Sequence, residues 1–165
     1  NIVKINRNLN ENQKILSSFN KTVLDYHYKI TGSNVSSFDI YLKDKTTNIY
    51  DINMRISDDG SHSVNRTKVF IYDVALLFNE FTRQNHPNIL IHDNIFDVDQ
   101  DTLVQCLNFL SLKEGNQNFQ YILTLNRDKI ENEERKKEFK FDVNSHKIAV
   151  FTKKDKFLKK DYQEL

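Results

Sequence analysis

The sequence predicts an α/β fold. Two near-continuous apolar runs, Ile89-Leu90-Ile91 and FQYILTL at 119–125, bracket a helical stripe of Leu103, Cys106, Leu107 and Leu110. Runs without polar alternation suit a mostly parallel sheet covered on both faces, and strand, helix and strand in succession make a βαβ unit with a right-handed crossover. Upstream, Phe38, Ile40 and Leu42 alternate with polar residues, as do Tyr50, Ile52, Met54 and Ile56 after the DKTTN turn. That pair reads as an antiparallel hairpin.

Residues 1–31 predict a helix that is the root of a coiled coil, and 32–165 a single lobe. Apolar or aromatic side chains fall at Ile2, Ile5, Leu9, Leu16, Phe19, Val23, Tyr26 and Ile30, with Asn12 filling the one missing heptad step. A lone polar residue in such a seam sets register. The same spacing also describes an amphipathic helix packed on its own domain, and Thr31-Gly32-Ser33 ends either one.

After the turn at Asp58-Asp59-Gly60, a polar loop leads into a pattern from 68 to 81 whose apolar residues cover most of a helix circumference, so that helix must be buried nearly all round. The short polar residues before it, Ser61, His62, Ser63 and Asn65, serve equally as a helix cap or as a rim of N–H groups facing an anion. Asp99 or Asp101 can cap the helix after the first apolar run; the dense charges of 127–140 read as a solvated helix or loop, and 147–152 as a final strand. The lysine-rich tail reads as a solvated terminus.

Composition narrows the function classes. Lys+Arg of 24 against Asp+Glu of 23 gives no global field for nucleic acid. The single cysteine, Cys106, excludes a disulfide framework and a thiolate metal site, and lies where a small core residue belongs. No apolar run reaches the roughly 18 residues of a membrane span, so a membrane partner is not expected and a reducing cytoplasm is. Gly32, Gly60 and Gly115 are isolated and none precedes a Lys-Ser/Thr pair, so this sequence holds no phosphate-cradling P-loop. The Asp97-Val98-Asp99-Gln100-Asp101 stretch imitates a calcium loop, but Thr102 and Asn108 stand where glycine and glutamate are required.

The residue that carries chemistry is Asp93. It ends the first apolar run, and open α/β sheets place ligands at the carboxyl ends of their strands. A carboxylate there, before an acidic turn and a helix, is how P-loop ATPases hold phosphate-bound magnesium; the plainer reading is a turn cap. His92, its neighbour, should face the opposite side of the sheet. Asn126 follows the second run and should sit beside Asp93 if the two strands are neighbours.

The order of these parts resembles the C-terminal half of an ABC-type ATPase head of the SMC and RecN kind, whose N-terminal half and P-loop lie across a long coiled coil. More narrowly, DGSHSVNRTKVFIYDVALL, NILIHDNIFD, FQYILTLN and KIAVFTKKDKFLKKDY are similar to an uncharacterised bacterial domain family at the C-terminal ends of such proteins. The resemblance implies that Asp93 ends a Walker B strand and holds Mg2+ through water, and that Asp97 is the D-loop aspartate meeting the opposite subunit. It also implies that Ser61, Ser63 and Asn65 stand in the signature loop that touches ATP bound by a partner head, the equivalent serine being Ser61 or Ser63. Two positions depart from the pattern: Asn94 replaces the glutamate that polarises the attacking water, and Asn126 replaces the histidine that senses the γ-phosphate. An amide orients water without accepting its proton, so slow turnover is expected.

These observations support an ATP-binding half-head completed by an N-terminal P-loop half, with homodimeric head engagement and DNA or an accessory protein as the wider partner, in DNA maintenance or phage defence. The alternative is a catalytically degenerate dimerisation module that keeps the fold. A metal-dependent nuclease is weakest, because Asn126 supplies no second acidic strand end.

Overall fold

A computed structural model describes residues 7–8, 10–42, 50–57, 62–96, 100–116, 118–152 and 154–155. The fold is α/β. In chain order it comprises α1 (Gln13–Thr31), β1 (Ser36–Leu42), β2 (Tyr50–Ile56), α2 (His62–Phe78), a 3-10 turn (Thr82–Asn85) and β3 (Ile89–Asp93). Then follow α3 (Gln100–Ser111), β4 (Gln120–Thr124), a second 3-10 turn (Arg127–Lys129) and the short α4 (Glu133–Lys136).

Helix α1 buries Phe19, Val23, Tyr26 and Ile30, the three-four stripe of the sequence, against α2, α3 and β1. It stops where Gly32 takes a left-handed φ of +72° and donates its N–H to the Tyr28 carbonyl at 2.8 Å. From Phe19 onward the seam is therefore spent on the core of its own domain. Asn12 is exposed, its amide donating to the Asn8 carbonyl at 2.7 Å, while Ile2, Ile5 and Leu9 lie outside the described residues.

The hairpin forms as its alternation predicts, antiparallel with Ser36 opposite Ile56 and Phe38 opposite Met54. Phe38 and Met54 turn inward. Phe38 and Tyr72 of α2 meet the edge of Phe19 at 5.6 and 5.5 Å between ring centroids, joining hairpin, α1 and α2. Helix α2 buries Phe70, Ile71, Val74, Ala75, Leu77 and Phe78, but Val69 is 48% exposed, so the helix is covered on most of its circumference and not all round as expected. Just past its end, buried Asn79 donates its side-chain amide to Ser18 and Thr22 of α1 at 3.1 and 2.8 Å. That buried amide is satisfied, so it fixes the helix pair without the cost of an unmade hydrogen bond.

Strands β3 and β4 pair in parallel, Ile89 opposite Gln120 and Asp93 opposite Thr124. Among the described residues they form a sheet of two strands, separate from the hairpin. Here the expectation of a strand covered on both faces is corrected. Leu90, His92, Tyr121 and Leu123 point into the core, but Ile89, Ile91 and Ile122 on the other face are 46, 62 and 40% exposed. The apolar run is continuous because both faces are apolar, yet in this chain only one of them is covered.

Helix α3 starts at Gln100 with Asp101 in its first turn and buries Leu103, Val104, Cys106, Phe109 and Leu110; Asp99 lies outside the described residues. Cys106 is a core residue, its thiol pushed up by burial. The charged stretch 127–140 is more tied down than its composition suggests. Gln100 donates to the Lys129 carbonyl at 2.6 Å, the Asn108 amide exchanges hydrogen bonds with the backbone of Glu138 and Lys140, and Phe139 is buried. Residues 147–152 form no strand, contrary to the sequence reading: Ile148 is 95% exposed. A β-prone run becomes a strand only where a sheet edge receives it.

Candidate functional site

The phase of β3 decides where its carboxylate points, and His92 sets the phase. Its ring lies in the core beside Phe70, with Nδ1 at 2.9 Å from the Tyr121 hydroxyl of β4 and Nε2 at 3.0 Å from Asp73 Oδ2 of α2. Burial pushes the Tyr121 phenol up, so it keeps its proton; whichever tautomer the imidazole takes, both of its ring nitrogens are held, Nδ1 by the Tyr121 hydroxyl and Nε2 by Asp73. With His92 locked inward, the next residue must face outward. Asp93 is exposed on the open face of the sheet, at the carboxyl end of β3, and His92 faces away from it as the strand alternation predicts.

Asp93 is held there by its neighbour across the sheet. The Thr124 hydroxyl donates to Asp93 Oδ1. The N–H of Asn94 in turn donates to both oxygens of Thr124, at 3.1 Å to Oγ1 and 3.2 Å to the carbonyl. Asn94 adopts φ +49°, a left-handed conformation that asparagine tolerates better than most residues. Immediately after it Ile95 and Phe96 are buried, Phe96 packing on Phe70 at 5.3 Å between ring centroids. Asp93 and Asn94 thus form a short exposed shelf, clamped between buried His92 on one side and buried Ile95 and Phe96 on the other.

The other expected site residues are less concentrated. Register puts Thr124, not Asn126, opposite Asp93; Asn126 lies two residues further on, exposed, where its carbonyl accepts from Lys129 N–H at 3.1 Å and opens the second 3-10 turn. Asn65 is exposed on α2 and lines an open groove of about 510 Å³ between that helix and the hairpin, with Phe38, Ile52, Met54 and Val69. It makes none of the hydrogen bonds that join Asp93, Asn94 and Thr124. Ser61 and Asp97 lie outside the described residues, and so does the side chain of Ser63, although its backbone is in the first turn of α2.

Thr124 is the residue that sequence reasoning passed over. No signal in the sequence points to it: the first polar residue after Ile89-Leu90-Ile91 is His92, so matching the ends of the two apolar runs would set Thr124 against His92, and only the observed register sets it against Asp93. What these groups offer chemically is oxygen. A carboxylate, a hydroxyl and amide carbonyls are the hard donors that suit Mg2+, which takes one or two protein carboxylates and completes its octahedron with water and phosphate oxygens. Among the described residues there is no group of three or more His, Cys, Asp or Glu that could hold a metal ion. Asp93 alone offers one carboxylate, which is compatible with a Mg2+ ion only if other oxygens complete its shell.

Comparison with known proteins places the chain in one family. Residues 10–162 match the model described as "Uncharacterised protein conserved in bacteria (DUF2326)", and the chain belongs to that family. No curated protein and no solved structure matches. Among the described residues, no helix is long and apolar enough to cross a membrane.

Proposed function

We propose that this member of the family is the C-terminal half of an SMC-like ATP-binding head, working with an N-terminal half that carries the P-loop. The observation that carries the reading is the half-covered parallel sheet with Asp93 on its open face. Parallel strands are found with both faces covered, and a two-stranded sheet is marginal alone. The exposed row of Ile89, Ile91 and Ile122 therefore calls for more sheet and a covering layer, and the carboxylate at its end lies where open α/β sheets meet their ligands. In this reading Asp93 would hold a hydrated Mg2+ ion, which would supply charge neutralisation for the ATP phosphates. Asp97, Ser61, Ser63 and Asn65 are, in the same reading, the groups that would contact a second head and couple nucleotide to dimerisation, Ser63 and Asn65 lying on α2 and not in a loop before it; DNA or an accessory protein is the wider partner.

Asn94 and Asn126 stand where a proton acceptor and a γ-phosphate sensor are usual. Turnover in this reading is slow, with the Asn94 amide orienting water and a base coming from elsewhere or from solvent. The same two amides favour the second reading, a module that keeps the fold for dimerisation and has lost hydrolysis.

The test is coexpression with the P-loop half, comparing wild type with Asp93→Ala for ATP-dependent dimerisation and hydrolysis. Loss of both supports the head reading. Retained dimerisation with no hydrolysis in either protein supports the interaction module. If a P-loop half is absent from the full gene, or both activities ignore Asp93→Ala, the head reading is wrong.

A further inference from the structure

Thr124 carries a role that no motif assigns. Its hydroxyl has one proton and two lone pairs, and the structure uses both kinds of capacity at once: the proton goes to Asp93 Oδ1, and the oxygen accepts the Asn94 N–H at 3.1 Å. The two residues it touches are the carboxylate proposed to hold the metal's waters and the amide proposed to orient the attacking one. Both are exposed, so packing does not fix them. An exposed aspartate has several accessible rotamers, and a left-handed asparagine sits in a shallow backbone well. The Thr124 hydroxyl restricts the Asp93 rotamer by itself and the Asn94 backbone together with the Thr124 carbonyl at 3.2 Å.

We propose that Thr124 is a positioning residue for the metal edge: by clamping Asp93 Oδ1 and the Asn94 backbone together, it leaves the second carboxylate oxygen free and aimed for a hydrated divalent cation. This rests on the head reading above. Outer-shell groups that orient a metal's ligands commonly change metal affinity by about 10- to 100-fold when removed. Asp93, acting through water, is such a group, and Thr124 is what orders it, so the low end of that range applies. Valine preserves the β-branched shape of threonine and suits a strand, so Thr124→Val removes the hydroxyl with little change in fold. Thr124→Ser restores the hydroxyl without the methyl group.

The experiment measures Mn2+ affinity by electron paramagnetic resonance in the complex of this chain with its P-loop half, in the presence of a non-hydrolysable ATP analogue. Analogue affinity without metal and the urea midpoint are followed in parallel. Thr124→Val should weaken Mn2+ about tenfold, and Thr124→Ser should stay near wild type, with metal-free analogue affinity and the urea midpoint unchanged in both. If Asp93→Ala abolishes Mn2+ binding while Thr124→Val binds as wild type, the positioning role is wrong and the head reading stands. Equal weakening by Thr124→Val and Thr124→Ser also overturns it, since the hydroxyl would then not be the determinant. If Asp93→Ala leaves Mn2+ binding intact, the head reading fails and this role with it.

Discussion

Replacing Tyr121 by phenylalanine tests the lock that turns Asp93 outward. The change removes one oxygen and leaves the ring in its contacts with Phe70 and His92. It strands His92 Nδ1, which had its partner at 2.9 Å, in a position only 7% exposed. A buried donor or acceptor left without a partner costs about 1–3 kcal/mol. Taking about 2 kcal/mol for a domain of this size, Tm should fall by about 4–8 °C. In urea the midpoint should drop at constant slope, because the compactness of both states is unchanged. His92→Leu introduced into the Tyr121→Phe background removes the stranded group, and Asp73, 29% exposed at its side chain, regains water. The double variant should therefore lose less than the sum of the two single changes, by at least about 1 kcal/mol. A Tyr121→Phe loss below about 0.5 kcal/mol, or strict additivity in the double variant, would refute the lock.

Three further outcomes are expected. His27 is fully buried with Nδ1 unpaired, and burial holds its pKa below the ordinary histidine value. Its contribution to stability is present above the unfolded value near 6.5 and is lost as pH falls from there toward the lowered folded value, so urea midpoints should decline over that range and His27→Gln should flatten the decline. His146 is shifted the other way, chiefly by its hydrogen bond to the Asp142 carbonyl and then by Glu114 at 3.3 Å. It stabilises below the ordinary value and loses that contribution as pH rises through the raised one, which an NMR titration of wild type against Glu114→Gln should show as a lower His146 midpoint in the variant. In the assembled head, Asn94→Glu should raise ATP turnover if the only missing part is a base; an unchanged rate would assign the fold to the interaction module.

Much of the fold could be read from the chain because each element has a one-sided or all-round apolar pattern that its environment requires. The three-four stripe of α1, the alternation of the hairpin and the broad apolar face of α2 each lead to buried side chains. Asp93 was legible for the same reason, as the polar residue that ends an apolar strand. What could not be read depends on neighbours. An apolar run states that both faces of β3 can be covered, not that this chain covers them, so Ile89 and Ile91 were placed in a core they do not share. The run at 147–152 has strand propensity without a strand. Thr124 was missed because a threonine at a strand end is ordinary until register sets it against a carboxylate, and the left-handed backbone of Asn94 follows from that same pairing.

Hairpin and parallel pair share no backbone ladder among the described residues; side chains such as Phe19, Phe38 and Tyr72 are what the hairpin leans on. The Asn20 side-chain amide also donates to the Phe38 carbonyl, but no row of backbone bonds continues from the hairpin into β3 and β4 among the described residues. The hairpin amides should accordingly exchange with deuterium as a unit, earlier than those of β3 and α2. A molecule jointed in this way can let one edge give while the carboxylate keeps its place.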